Sequence, residues 1–428
     1  MQLSINPPRA AWPELARRPA LPQADLEGRV REILETVRQE GDAALRRYTA
    51  RFDRWDGEQS EIPFEEWFAQ ASLTPGPLRE AIRLAIANLR AFHEAQREGE
   101  IRVETMPGVT CWRRSVPLER VGLYIPGGSA PLFSTLLMLG VPARLAGCKE
   151  IILCTPPDAQ GRIHPAILFA ARETGIGRIF RAGGAQAIAA MAFGTESIPK
   201  VDKILGPGNQ YVTLAKQLVS QHGTAIDLPA GPSELLVIAD ASAHPAFVAA
   251  DLLSQAEHGP DSQVILLSDS EAVVAAVQAE LERQLPLLPR AEIAAAALAS
   301  SRAAVLPDRE TLMAFSNAYA PEHLILAVED PAAWAQLVEH AGSVFLGHYA
   351  PESAGDYASG TNHTLPTNGY ARAYSGVSLD HFVRKITFQQ LTPDGLRNVG
   401  PAVMEMAAAE GLEAHRQAVA LRLDVLNA

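Results

Sequence analysis

Four stretches of the chain hold the residue types best suited to chemistry. In Asp251-Leu-Leu-Ser-Gln255-Ala-Glu-His258-Gly259 an apolar helical run from Pro245 ends at Gly259-Pro260, a helix terminator. On an α-helix Asp251, Gln255 and His258 share one face, and a carboxylate, an amide oxygen and an imidazole are all metal-ligand types. An amphipathic helix turning its polar face to water has the same spacing. Ala320-Pro-Glu322-His323-Leu-Ile-Leu326 sets a carboxylate beside an imidazole at the entrance of an apolar strand, where both can border one cleft. Glu322 then suits activation of water and His323 proton transfer near neutral pH; a surface dipeptide on a loop is the plainer reading. Glu352-Ser-Ala-Gly-Asp356-Tyr-Ala-Ser-Gly360-Thr-Asn-His363 reads as a polar, glycine-bearing loop. It is more elaborate than a connector needs, with Asp356 a hard oxygen ligand and His363 a ligand or hydrogen-bonding residue. In Glu410-Gly411-Leu-Glu413-Ala-His415 the glycine is expected to break a helix, so that Glu410 and His415 converge through the bend; two exposed residues on a C-terminal helix fit equally. Gln255, His258, Asp356 and His415 together would make a mixed nitrogen and oxygen site suited to Zn²⁺ or Mn²⁺. His93, His164, His222, His244, His340, His348 and His381 lack such partners and read as surface or satisfied core.

These residues need rigid elements to hold them. From Val121 onward strands alternate with helices. The strand Arg120–Ile125 leads into Pro126-Gly-Gly128, Gly177–Ala182 into Gly183-Gly184, and Asp202–Leu205 into Gly206-Pro-Gly208, each followed by a helix. A second alternating set runs from Glu234 to Phe345. This pattern gives βαβ units and parallel sheets. The expected fold is α/β, with two Rossmann-like lobes, an N-terminal arm and a helical C-terminal appendage. The arm is expected at 1–22, a first lobe at 23–120 with 233–377, a second lobe at 121–232, and the tail at 378–428. Glycine-rich turns between strand and helix let backbone N–H groups meet phosphate, although GxGxxG is absent and tight turns need glycine anyway. Tyr124, Gln186 and Asn209 stand at or beside these turns, placed to reach a nucleotide or simply to cap the turns.

Composition narrows the classes. With 428 residues, 47% hydrophobic and 20% charged, the chain is long and apolar enough for substantial cores. A formal net charge of −12 argues against nucleic acid or an anionic membrane as the main partner. Cys111, Cys148 and Cys154 form no metal or redox spacing, and Cys154 reads as strand core rather than a catalytic thiol. Neither a signal core nor a transit character marks the N-terminus, and no apolar run is long enough to span a bilayer, so a cytoplasmic protein is expected.

The runs GLYIPGGSAP, GGAQAIAAMAFGT, GPGNQYVTLAK, IDLPAGPSELLVIAD, DLLSQAEHGPDSQ, APEHL, SAGDYASGTNHTLPT and AYSGVSLDHF resemble, in order and from about residue 23 to the end, the histidinol dehydrogenase family. The resemblance implies oxidation of L-histidinol to L-histidine through the aldehyde, with two NAD⁺ and one Zn²⁺, by a homodimer with a shared active site late in histidine biosynthesis. It implies Gln255, His258, Asp356 and His415 as zinc ligands, the last given by the partner subunit through an exchanged tail. Glu322 and His323 become the acid–base pair. Ser233, His363 and Glu410 join the substrate shell, which also includes the zinc ligands and His323. Tyr124, Gln186 and Asn209 become NAD contacts, and Asp251 has no role. Departures such as Phe133 and Leu139 lie off these positions. Three alternatives remain to be discriminated: a related NAD- and zinc-dependent enzyme oxidising another primary alcohol, such as a sulfonated diol; a zinc hydrolase using Glu322 on water; and a non-catalytic NAD-binding protein.

Overall fold

The computed structural model describes residues 1–19, 26–127, 131–228 and 231–428. The chain divides into two compact units, one of residues 1–95 and 119–382, the other of residues 96–118 and 383–428.

The first unit holds two parallel sheets. One has six strands in the order Gln2–Ile5, Arg302–Val305, Gln263–Ser268, Glu234–Ala239, His323–Ala327 and Ser343–Leu346. The other has five, in the order Arg178–Arg181, Glu150–Thr155, Arg120–Tyr124, Lys203–Leu205 and Ala225–Ile226. The central strands are almost unbroken apolar runs because helices cover both faces of each sheet. Setting aside the N-terminal strand, both sheets place their strands third, second, first, fourth, fifth by sequence, the order of the first five strands of a doubly wound Rossmann sheet. Two Rossmann-like lobes are therefore present, as the alternating pattern predicts.

Their boundaries differ from the expected ones. Rather than standing apart as an arm, residues 2–5 form an edge strand of the six-stranded sheet, and Arg18 pairs with buried Glu234 while lying over the Tyr319 ring. Residues 26–94 pack mainly against the 121–232 lobe and not the 233–377 lobe. Helices Leu26–Glu40 and Asp42–Asp53 pack on Gly184–Phe193, and the first of them also on Gln210–Ser220. Phe64–Ala71 packs on Pro165–Thr174, and Gly76–Glu94 on that helix and on Phe133–Ala146. The stripe Val30, Ile33, Leu34 and Val37 shows that a helix face is buried, but not against which sheet. The reason lies in the helix Gly184–Phe193: Ala185 through Ala192 are all buried, so it needs a second layer over the side its own sheet leaves bare.

In the second unit Val383–Leu391, Val109–Pro117 and Ile101–Met106 form an antiparallel sheet, and helices Pro393–Ala409 and Glu413–Asn427 pack on each other. The tail is thus not wholly helical, and residues 96–118 belong with it. Strand Ile101–Met106 is exposed along nearly its whole length, which removes the apolar alternation that reveals a strand.

Candidate active site

A cleft of about 2750 Å³ in the first unit is lined by both lobes. From the 234–346 lobe it receives Ser233, Gln255, His258, Glu322 and His323, with Asp356 and His363 from the chain that follows. The strands Glu234–Ala239 and His323–Ala327 are parallel neighbours, so Ser233 and Glu322 stand side by side at their entrances. The Glu234 backbone N–H donates to Glu322 Oε2 at 2.9 Å and staples the two entrances. Helix Pro245–Ala256 delivers Gln255 from its last turn, fully buried, and His258 from the turn beyond, where Nδ1 lies 3.4 Å from Ser233 Oγ. Asp251, on the same helix, does not line the cleft, and burial pushes its carboxyl up to about 7.

The expected loop at 352–363 begins instead as the short helix Glu352–Tyr357. Its first residue and Asp356, one turn later, both approach His323. Asp356 Oδ1 lies 3.5 Å from His323 Nε2, and Glu352 Oε1 lies 3.8 Å from Nδ1, which also has Glu322 Oε2 at 3.7 Å and the Glu234 carbonyl at 3.3 Å. Burial alone would lower the His323 pKa, but Glu352, Glu322 and Asp356 outweigh it and hold the imidazole up at about 10. Burial pushes Glu322 up to about 8 against the pull of His323, and pushes Glu352 well above the usual carboxylate range. Burial also works against ionised Asp356, yet the neighbouring imidazoles keep it below the usual range. His363 has both ring nitrogens engaged, Nδ1 with the Asp356 carbonyl at 2.7 Å and Nε2 with Thr135 Oγ1 at 3.0 Å.

Tyr124, Gln186 and Asn209 line the opposite wall. Tyr124 ends the first strand of its sheet, and its hydroxyl accepts the Gly184 N–H at 3.0 Å; burial pushes the phenol up. Asn209 is exposed and caps helix Gln210–Ser220, accepting from the N–H groups of Tyr211 and Val212 at 3.0 and 3.2 Å. Gly206 just before it adopts φ +136°, and a Cβ there would fall 2.0 Å from the Tyr124 carbonyl oxygen, so only glycine fits. The first expected glycine turn falls partly on residues 128–130 and lies outside the described residues.

Glu410 and His415 lie in the second unit, on either side of Gly411 (φ +73°), and both are exposed. The helix does break at Gly411, as expected. The cleft is lined by residues of the first unit.

Residues 16–423 match the family model described as histidinol dehydrogenase. The chain belongs to the histidinol dehydrogenase family. It is 58% identical over 427 residues to the histidinol dehydrogenase of Bacteroides thetaiotaomicron, covering 100% of both chains. It is also 58% identical over 395 residues to that of Xylella fastidiosa, covering 92% of each. The crystal structure of histidinol dehydrogenase from Elizabethkingia anophelis superposes with a TM-score of 0.98 at 56% identity, covering 100% of this chain and 99% of that one.

Within this histidinol dehydrogenase fold, two acids outside the expected set lie in or beside the cleft, Glu352 buried and Asp53 half-buried. Glu352 stands four residues before Asp356, a spacing that shares a helix face because the segment is helical. Asp53 ends helix Asp42–Asp53, accepts the Gly183 N–H and lies 3.5 Å from Gln186 Nε2; burial pushes it up to about 6. Nothing local in the sequence marks it. Cys154 is buried in its strand and burial pushes its thiol up, in keeping with a core role. His93 is likewise a satisfied core residue, bonded to the Leu89 carbonyl at 2.9 Å. No described helix is long and apolar enough to cross a membrane.

Proposed function

We propose that this enzyme oxidises L-histidinol to L-histidine through the bound aldehyde, passing two hydrides in turn to two NAD⁺, as a zinc-dependent cytoplasmic homodimer. The observation that carries the reading is the convergence of Gln255, His258, Asp356, Glu322 and His323 on one wall of a cleft whose other wall bears the nucleotide-type turns.

The donor set fits a divalent ion. His323, Glu352 and Asp356 offer ligand atoms within 4.8 Å of one another, and His323 Nε2 and Glu352 Oε2 are buried without a hydrogen-bond partner among the described residues. Three carboxylates crowd one imidazole, and a cation relieves that repulsion. We assign the ligands as Gln255, His258 and Asp356, which line the cleft, with the partner subunit's His415; Glu352 does not line it. A zinc ion held by these residues would supply Lewis-acid anchoring of the substrate's nitrogen donors and so would help position the carbinol carbon.

Every other step falls to the chain. With Nδ1 facing the Glu234 carbonyl and two carboxylates, His323 keeps its proton there and presents Nε2 as acceptor for the hydroxyl proton while hydride leaves for the first NAD⁺. Its high pKa reflects uncompensated carboxylates, and a cation beside Asp356 brings it down. Glu322, a stronger base than an ordinary carboxylate because it is buried, takes a proton from water as the water adds to the aldehyde. The aldehyde oxygen takes back the proton held on His323, and the resulting hydrate loses hydride to the second NAD⁺, one proton to His323 and a second to solvent, giving the carboxylate. Ser233, His363 and Glu410 complete the substrate shell, and Tyr124, Gln186 and Asn209 hold NAD⁺.

NADH formation from L-histidinol, followed with and without a chelator, tests the proposal. Activity is expected to vanish with chelator and return with added zinc. Chelator-insensitive turnover overturns the metal assignment, and absence of NADH overturns the reaction.

A further inference from the structure

Glu352 has no part in the reaction as proposed above, yet it is among the most deeply buried acids of the described residues, 1% exposed and beside His323. A carboxylate taken out of water is strongly disfavoured unless hydrogen bonds or charges compensate it. Two groups face it. His323 Nδ1 lies 3.8 Å from Oε1. The Gln255 side-chain amide also meets Oε1: in the orientation that satisfies its neighbours, the amide nitrogen donates to Glu352, and the amide oxygen at 3.0 Å shares the Glu234 backbone N–H that also reaches Glu322 Oε2 at 2.9 Å. The opposite orientation would set oxygen against carboxylate and nitrogen against N–H.

A glutamine side chain offers a metal only its oxygen, and an amide free to rotate presents the wrong end half the time. The Glu352 carboxylate removes that freedom. It fixes the NH₂ end, while the Glu234 N–H takes one of the two lone pairs on the oxygen and leaves the second for the ion. The short helix Glu352–Tyr357 couples this to Asp356, four residues later, so one rigid turn sets both an ion ligand and the group that aims another. A dication beside them would favour the ionised form of both acids, and their charges would balance it.

We propose that Glu352 is a positioning residue of the metal site: its carboxylate locks the Gln255 amide with the oxygen turned to the ion. The inference rests on the zinc site proposed above. It predicts that Glu352→Gln, which replaces the acceptor with a group that can itself turn, binds zinc about 10–100-fold more weakly than the wild type. Affinity is to be measured by competition with a chromophoric chelator. NADH production by the same variant should fall at limiting zinc and recover in part when zinc is in excess. The double variant Gln255→Glu/Glu352→Gln restores a carboxylate–amide pair with its polarity reversed, and should bind zinc more tightly than the sum of the two single losses predicts. If Glu352→Gln fails to fold, Glu352→Asp, shorter by one methylene, is expected to show an intermediate loss of affinity. Wild-type zinc affinity in the folded variant, or strictly additive losses in the double variant, overturns the inference while leaving the zinc site intact. A wild-type protein that binds no zinc overturns the site itself, and Glu352 with it.

Discussion

Asp53 stands in a setting that is costly for a carboxylate: half-buried, beside a phenol and an amide, and with no ion pair among the described residues. Burial raises its folded pKa to about 6 from an ordinary value of 3.8. Between those two values the folded state binds more protons than the unfolded one, so this group's share of stability is full at low pH and is lost as pH rises through about 6. Asp53→Asn keeps an oxygen for the Gly183 N–H and removes the charge. The variant is expected to gain thermal stability relative to the wild type on going from pH 4 to pH 7, read as the difference in melting temperature at each pH; a difference that does not change with pH contradicts the burial argument. The residue also shows what a sequence withholds. Glu322 and His323 were legible because they are adjacent and precede an apolar strand. Asp53 meets Gly183 only through tertiary packing, and no local pattern encodes that meeting.

Among the elements, the turn after strand Lys203–Leu205 is the most tightly specified. Lys216 Nζ donates to the Gly206 carbonyl at 2.7 Å, Asp227 Oδ2 accepts the Gly206 N–H at 2.8 Å, and the two side chains form a buried ion pair. Both backbone groups of one glycine are thus gripped, next to the Tyr124 carbonyl that leaves no room for a Cβ. Gly206→Ala is expected to cost on the order of 3–5 kcal/mol, because clash and left-handed strain add. Denaturant unfolding measures this against Gly177→Ala, whose added Cβ meets nothing within 4 Å and should change little. The turn itself was readable from Gly206-Pro-Gly208 at a strand end. The clamp was not, since Asp227 lies beyond the next helix. Helix Glu352–Tyr357 is hidden in the sequence for a related reason: Gly355 and small neighbours suggest a loop, yet Gly355 is buried with no room for a Cβ beside the Phe345 ring. Close packing, not propensity, makes that turn helical.

At the scale of the molecule, two sheets of one strand order present opposite ends to a common cleft. The 120–226 lobe uses the carboxyl ends of its strands, at Tyr124 and Gly206, where wound α/β sheets ordinarily bind ligands. The 234–346 lobe uses the amino ends, at Ser233 and Glu322. Alternating strands and helices disclosed both lobes, but an alternation has no polarity, so it cannot say which end faces inward. If His415 completes the site of a neighbouring protomer, His415→Ala and Glu322→Ala chains, each nearly inactive alone, should regain activity when mixed, because one of the two sites in each heterodimer is then whole. Absence of recovery in verified heterodimers counts against a shared site.

The antiparallel pairing of residues 109–117 with 383–391 has a bearing on how the protein is made. A ribosome releases the earlier strand more than 250 residues before its mate. Throughout that interval the segment has only Ile101–Met106 beside it and an open edge on its other side, the condition in which nascent chains pair with strangers. Closure of this sheet must await the last stretch of synthesis, which also brings out His415. Translation that stops short would therefore leave both an unmated strand and a chain lacking its tail histidine, so a truncated product is expected to be sticky and inert at once.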